Sequence, residues 1–213
     1  MKITKFGHCC LLLEHEGKKL LTDPGNYTEA STGLLRDIDA ILVTHEHTDH
    51  LHMDSVKLLA QNNPGAELVG NASVAALLQK EGLLCTTVGD GASAQVRGVL
   101  VEGFGREHEP IYQEFGLVEN TGYLVAQQFY FPGDAFHSPG KTVDILALPI
   151  AGPWMKFSQA MEFAKVVKPR VCFGVHDGMI KPSSNFGARM APDFLGREHL
   201  EFVHLQDGDS REF

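Results

Sequence analysis

Short runs of apolar residues recur along the chain, and most end in glycine, proline or charged residues. Runs of four to six apolar or alternating residues with turn residues on either side are typical of β-strands. Gly17 is placed for a hairpin turn, and Asp23-Pro24-Gly25 indicates a second turn. We therefore predict that the chain opens with a β-sheet. Its strands are predicted at residues 2–6, 10–14, 18–22 and 40–43.

Helical spacing appears in two segments on either side of a short strand at residues 67–70. Asp54 is a candidate N-cap for a helix over residues 55–61. Asn71 is a candidate N-cap for a second helix over residues 72–80. This alternation is typical of helices packed on a sheet.

The rest of the chain again favours strands. Residues 85–103 predict a three-stranded meander, and Ser158 is a candidate N-cap for a helix that ends near Val167. The whole pattern predicts two β-rich halves, each with helices outside, and no internal sequence repeat. Further strands are predicted at residues 121–126, 128–131, 144–147, 170–175 and, as the last one, 199–205.

Composition narrows the class of protein. The 213 residues, 43% of them hydrophobic and 21% charged, suit one soluble domain over residues 1–213. The net charge of −9 argues against a nucleic-acid partner, and no apolar stretch approaches the roughly 20 residues of a membrane span. The first residues predict a strand and not a signal segment, so we expect a cytoplasmic location. The four cysteines form no Cys-x-x-Cys pair, and we interpret them as reduced thiols.

The densest candidate chemistry directly follows the apolar run at residues 40–43. The segment Thr44-His45-Glu46-His47-Thr48-Asp49-His50 contains three imidazoles and an aspartate. Histidine is the commonest protein metal ligand, and aspartate supplies a hard oxygen ligand. Burying these groups together would be costly without a cation. The segment therefore predicts a metal site, with more ligands than one ion needs.

Three later positions repeat this logic, because in each an apolar run ends in a candidate ligand. They are His108, Asp134 and His176. Since α/β scaffolds usually place their chemistry at strand ends, we expect these side chains to converge with the histidine segment at one sheet edge.

The ordered set His45-x-His47-x-Asp49-His50, His108, Asp134 and His176 resembles the ligand set of the metallo-β-lactamase superfamily. The resemblance covers nearly the whole chain. It implies an α/β fold, namely a four-layer αββα sandwich of two mixed β-sheets with helices on the outer faces. The segment Leu148-Pro149-Ile150-Ala151-Gly152 further resembles small metal-dependent hydrolases near ascorbate-6-phosphate lactonase. That kinship implies a homo-oligomer as an expectation.

The resemblance also implies a dinuclear site with two divalent ions, zinc being the first choice and manganese, iron or nickel the alternatives. A hydroxide activated there would attack an ester, lactone, amide or phosphodiester in a small-molecule substrate. One ion would be held by His45, His47 and His108, the other by Asp49, His50 and His176, with Asp134 bridging.

Several further residues are candidates for supporting roles. Asp49 is a candidate catalytic residue that orients the hydroxide or moves its proton. Asp23 matches the family's early aspartate behind the ligands, with a turn role as the alternative. His137 and Trp154 are candidate substrate contacts, with a plain exposed histidine as the alternative for His137. His8 is interpreted as structural, with a position near the pocket as the alternative.

Two other functions stay open. A nuclease of the tRNA 3′-processing type has a similar ligand set, but the net charge of −9 and the lack of a long basic arm argue against it. A non-catalytic metal-binding protein that retains the fold is the second alternative. A flavin-linked diiron role would need a flavodoxin-like domain or partner, and the chain is too short to contain both domains. For an anionic substrate, Lys156 and Lys181 are candidate contacts.

Overall fold

The computed structural model describes residues 1–213, except for the side chains of Glu29 and Ala30. The strands are β1 (Lys2–Gly7), β2 (Cys10–His15), β3 (Lys18–Thr22), β4 (Ala40–Val43), β5 (Glu67–Gly70), β6 (Cys85–Thr87), β7 (Ser93–Val96), β8 (Val99–Phe104), β9 (Gly122–Val125), β10 (Phe129–Phe131), β11 (Ile145–Pro149), β12 (Val171–Val175), β13 (Glu201–Val203) and β14 (Ser210–Glu212). The α-helices are α1 (Glu29–Thr32), α2 (Met53–Asn62), α3 (Ala72–Lys80), α4 (Phe157–Val167) and α5 (Phe186–Gly196).

The strands form two mixed sheets of the same design. The first has the order β14-β1-β2-β3-β4-β5-β6, and the second has the order β13-β12-β11-β10-β9-β8-β7. Each sheet contains three adjacent antiparallel pairs and three adjacent parallel pairs; the antiparallel pairs come first in the order of the first sheet and last in the order of the second. The two β-rich halves expected from the sequence are therefore present. The first strand of the chain, β1, pairs with the last, β14.

Three apolar clusters define four layers. The central cluster combines residues of both sheets, such as Leu42 of β4 and Phe173 of β12, and fills the space between the sheets. A second cluster joins the outer face of the second sheet to α4 and α5, through residues such as Phe163. A third joins the outer face of the first sheet to α2 and α3. The αββα sandwich follows from this burial, because each sheet is apolar on both faces.

Two helix starts differ from the sequence prediction. His52, and not Asp54, is the N-cap of α2, and Asp54 lies in the first turn. Lys156, and not Ser158, is the N-cap of α4. In both cases the helix begins earlier than the best capping residue. At α4 the side-chain oxygen of Gln159 accepts from the backbone N–H of Lys156, and this hydrogen bond satisfies the helix start. Asn71 caps α3 as predicted, and its side chain accepts from the backbone N–H of Val74.

The predicted meander at residues 85–103 is wrong. β6 pairs in parallel with β5 in the first sheet, whereas β7 and β8 form a hairpin in the second sheet. The prediction of residues 199–205 as the last strand is also wrong, because β14 follows. Helix α5 was not predicted, since Pro192 in its interior argues against a helix on local grounds. Among the described residues, the helices lack the combination of length and apolarity that would let one cross a bilayer.

Candidate metal centre

The segments with candidate ligands follow strands that run in one direction. In the first sheet β1 and β3 are both antiparallel to β2, and β4 is parallel to β3. In the second sheet β8 and β10 are both antiparallel to β9, and β12 is aligned with β10 through β11. The loops after these six strands therefore leave each sheet at one edge. His50 from the first sheet lies 3.1 Å from Asp134 of the second, so the two edges meet.

His45, His47 and His108 form the first group of candidate ligands. One ring nitrogen of each lies within 4.8 Å of the other two. His45 Nδ1 lies 3.0 Å from Thr44 Oγ1, which itself donates to Asp23 and so accepts the proton from His45. His108 Nδ1 donates to a backbone carbonyl, that of Glu109. Both rings therefore carry their proton on Nδ1 and present the Nε2 lone pair to the centre.

Asp49, His50 and His176 form the second group, and ligand atoms of His8 lie within the same 4.8 Å limit. His50 Nδ1 donates to Asp23 Oδ2 at 2.6 Å. His176 Nδ1 donates to the carbonyl oxygen of Ala151 at 2.7 Å. As in the first group, the Nε2 lone pairs of the two histidines face the centre.

Asp134 lies between the two groups. Its Oδ2 atom is 3.2 Å from His108 Nε2 and 2.8 Å from His176 Nε2, and its Oδ1 atom is 3.1 Å from His50 Nε2. Gly133 precedes it with φ of +66°, and an ideal Cβ there would lie 2.3 Å from Asn120 Oδ1. Glycine is required at this turn, because a side chain would displace Asn120, which accepts from the Asp134 backbone N–H.

Asp23 supports both groups from behind. It is 1% exposed and accepts three hydrogen bonds, from Thr44 N at 2.8 Å, Thr44 Oγ1 at 2.7 Å and His50 Nδ1 at 2.6 Å. Of the two roles left open by the sequence, the geometry favours orientation of the ligands over a simple turn. One carboxylate sets the ring of His50 directly and that of His45 through Thr44.

The donor set fits divalent cations. Among the described residues, the buried atoms His45 Nε2, His50 Nε2, His176 Nε2 and Asp134 Oδ1 have no hydrogen-bond partner. Buried polar atoms are normally satisfied, and four unsatisfied lone pairs that face one another are costly unless a cation binds them. Histidine nitrogens with carboxylate oxygens are the ligands that zinc and similar metals prefer.

The electrostatics of the centre also call for positive charge. Burial lowers the pKa of His50, but the nearby carboxylates of Asp134 and Asp23 outweigh burial and raise it well above the ordinary value. Burial raises the pKa of Asp134, but His50 and His176 outweigh burial and lower it well below its usual range. Burial raises the pKa of Asp23, so only Asp134 of the two carboxylates is stabilised in the charged form. In the metal-free centre a proton on His50 supplies the positive charge, and a bound cation would replace that proton.

Trp154 and His137 occupy different surroundings. The Trp154 ring is 5% exposed and lies with its centroid 5.9 Å from that of His108 and 5.5 Å from that of His176. Its Nε1 atom has no hydrogen-bond partner among the described residues. His137 is exposed, packs on Gly105 and lines a neighbouring cleft, outside both candidate ligand groups.

Two further residues lie near the centre, and of these Cys9 was not predicted there. Cys9 lies close to His50 and Asp134, but it belongs to the core between the sheets, and burial raises the pKa of its thiol. His8, interpreted from the sequence as structural, contacts Asp49. The only local signal for His8 was its position directly after a predicted strand, because its partners lie far away in the chain.

Comparison with known proteins identifies the class. Residues 2–176 match the sequence profile described as the beta-lactamase superfamily domain, so the chain belongs to that superfamily. Protein Rv0786c of Mycobacterium tuberculosis is 36% identical over 189 residues, which cover 86% of this chain and 87% of the relative. The UPF0173 metal-dependent hydrolase MK1542 of Methanopyrus kandleri is 28% identical over all of both chains.

Solved structures share the fold. Igni18, a metallo hydrolase from Ignicoccus hospitalis, superposes with a TM-score of 0.76 at 19% identity and covers 100% of this chain and 98% of its own. Together with the sheet orders, this similarity confirms the predicted αββα sandwich. The hydrolase names among the relatives confirm the predicted enzyme class, a metal-dependent hydrolase.

We expect Asp23→Asn to weaken metal binding by about 10- to 100-fold. The amide replaces one acceptor oxygen with a donor. If this is Oδ2, both Thr44 Oγ1 and His50 Nδ1 lose their acceptor, and if it is Oδ1, the backbone N–H of Thr44 loses it. Competition with a chromophoric chelator measures the metal affinity. Asp39→Asn is the matched control, because that carboxylate also accepts a backbone N–H and pairs with a lysine, at the start of β4. Equal metal affinity in the two variants would contradict the orienting role of Asp23.

Proposed function

We propose that the chain is a dinuclear metal hydrolase that cleaves an ester, lactone, amide or phosphodiester bond in a small-molecule substrate. Zinc is the first candidate metal, with manganese, iron or nickel as alternatives. The observation that supports this most directly is the convergence of unsatisfied Nε2 atoms and Asp134 Oδ1 in a buried centre. Three imidazoles on one ion leave a coordination position open, which is the pattern of a catalytic site.

The proposed ligand assignment follows the two groups. His45, His47 and His108 would hold one ion, and Asp49, His50 and His176 would hold the other. The contacts of Asp134 with histidines of both groups support its assignment as the ligand common to both ions. Ions bound there would supply Lewis-acid chemistry, which lowers the pKa of a bound water and polarises the reacting oxygen of the substrate.

Asp49 is proposed to accept a proton from the attacking water and move it, as well as to bind the second ion. Its side chain is 25% exposed, whereas those of His50, His176 and Asp134 are between 0% and 3% exposed. The carboxylate therefore lies at the mouth of the centre. Burial raises the pKa of Asp49, but the hydrogen bond from His8 and the charge of His50 outweigh burial and lower it. A charged carboxylate at the mouth is suited to orient the attacking water.

Trp154 is proposed to contact the substrate. Its ring lies beside one histidine of each ligand group, and its indole N–H is a buried donor without a partner among the described residues. Such a donor is satisfied when an oxygen of a bound substrate accepts its proton. The exposed His137, in the adjacent cleft, is proposed as a weaker contact for the distal part of a substrate.

The test of the function is a hydrolysis panel with lactones, esters, amides and phosphodiesters. We expect turnover of at least one class, a loss of about 100-fold or more after chelation, and recovery when zinc is restored. Full metal content with every substrate inert would favour a non-catalytic metal-binding protein. Turnover of phosphodiesters alone, with RNA binding that weakens as salt increases, would favour a nuclease.

Asp49→Asn should lower kcat by about 100-fold beyond the loss that metal content explains, because the amide cannot accept a proton. The measurement is kcat per fully metallated chain, with metal content from elemental analysis. Asp177→Asn is the control. Like Asp49, Asp177 is the chain neighbour of a candidate ligand histidine, here His176, but its carboxylate pairs with Lys5 and Asn185. Activity that falls only in proportion to metal content would refute the separate role.

For Trp154→Phe we expect kcat/KM to fall about 3- to 10-fold at unchanged metal content, because one hydrogen bond to the substrate is lost while the apolar surface stays. Phe163→Leu is the control, because Phe163 packs on Phe136 in the same aromatic cluster without an N–H. If both variants lose the same amount, packing and not the indole donor is responsible.

A further inference from the structure

His8 is held in place from three directions. It follows β1 with φ of +48°, is 1% exposed, and packs its ring on that of Tyr27 at 4.8 Å between centroids. Its carbonyl oxygen accepts from the backbone N–H of His176. Its ring contacts two partners, with Nδ1 at 3.1 Å from Gly178 N and Nε2 at 3.2 Å from Asp49 Oδ2. A non-glycine residue at positive φ is uncommon, so the surrounding contacts keep this geometry.

The direction of these hydrogen bonds shows which ring nitrogen of His8 carries the proton. The backbone N–H of Gly178 can only donate, so His8 Nδ1 is the acceptor and carries no proton. The imidazole proton therefore lies on Nε2, where it is donated to the carboxylate of Asp49. This is the reverse of His45, His50, His108 and His176, whose Nδ1 atoms donate and whose Nε2 lone pairs face the centre.

We propose that His8 is a positioning residue that fixes the carboxylate of Asp49 through Nε2–H, and that it is not a further metal ligand despite its place within the second group. This inference rests on the proposed dinuclear function. A ligand nitrogen needs a free lone pair, and His8 Nε2 has none in this arrangement. The hydrogen bond occupies one lone pair of Asp49 Oδ2 and leaves the remaining carboxylate lone pairs for the second ion.

His8 also connects the two chain segments that contribute to the second group, the histidine segment and the loop after β12. His8 receives an N–H from Gly178, 170 positions away in the chain, and its carbonyl oxygen receives that of His176. Its ring then meets Asp49 on the histidine segment. One residue thereby sets the distance between the Asp49 and His176 ligands, which come from different sheets.

Two substitutions separate the roles of the ring nitrogens. In His8→Gln the side-chain amide nitrogen can take the place of Nε2 and donate to Asp49. In His8→Asn the amide can take the place of Nδ1 and accept from Gly178, but it is too short to reach Asp49. Backbone preference acts in the opposite direction, because asparagine tolerates positive φ much better than glutamine.

The experiment measures the affinity of each zinc ion by chelator competition and the thermal unfolding of each metal-free variant. We expect second-ion affinity within about threefold of the wild type for His8→Gln and a loss of about 10- to 100-fold for His8→Asn. We expect His8→Asn to unfold at the higher temperature of the two. If the role of His8 were purely structural, the second-ion affinity of each variant would follow its thermal stability. His8→Asn would then bind the second ion more tightly than His8→Gln.

The outcomes are distinct. Equal, large losses of second-ion affinity in both variants would overturn the proposal and make His8 a ligand. Wild-type affinity in both, or a better affinity in His8→Asn, would overturn it in favour of a structural role. A wild-type chain that binds fewer than two ions would refute the proposed dinuclear function and the role of His8 with it, whereas the first two results refute the role of His8 alone.

Discussion

The structure of the centre depends on the need to pair two buried carboxylates. Asp23 and Asp134 are 1% and 2% exposed, and a carboxylate in such surroundings is stable only with hydrogen-bond donors or cations around it. Asp23 is satisfied by Thr44 and His50, which makes it a fixed support. Asp134 instead faces imidazole nitrogens whose own protons are directed away. Asp23 therefore belongs to the residues that support the centre, whereas Asp134 belongs to the candidate metal ligands.

The direction of the strands brings these groups together. Each of the six relevant strands ends at the same edge, so the loops after them need only a few residues to reach the centre. The close approach of backbones is part of this design, since an ideal Cβ on Gly25 would lie 1.8 Å from the carbonyl oxygen of Asp49. The turn after β3 therefore packs directly beneath the ligand segment. A site built this way is rigid because it is supported by main chain and not by side chains alone.

Much of the fold could be predicted from local pattern, and the reasons for failure are physical. The strands at residues 18–22 and 40–43 and the helix at 72–80 match the observed β3, β4 and α3, because turn residues mark their ends. The assignment of β6 and β7 to different sheets depends on long-range pairing that adjacent residues do not encode. Candidate ligands could be proposed because each ends an apolar run. His8 could not be placed, since its role depends on Gly178 and Asp49, both distant in the chain.

Because both sheets contribute candidate ligands, metal binding at the proposed centre would be coupled to the packing of the whole sandwich. The second group combines Asp49 and His50 from the first sheet with His176 from the second, and Asp134 contacts both groups across the interface. Neither sheet alone holds the centre, so ions that bind it stabilise the folded chain by mass action. Each candidate group takes two residues from the histidine segment and one from the second sheet, His108 in the first group and His176 in the second, so both depend on how the sheets are packed. The second group has one link more across the sheets, because His8 accepts from the backbone N–H groups of Gly178 and His176.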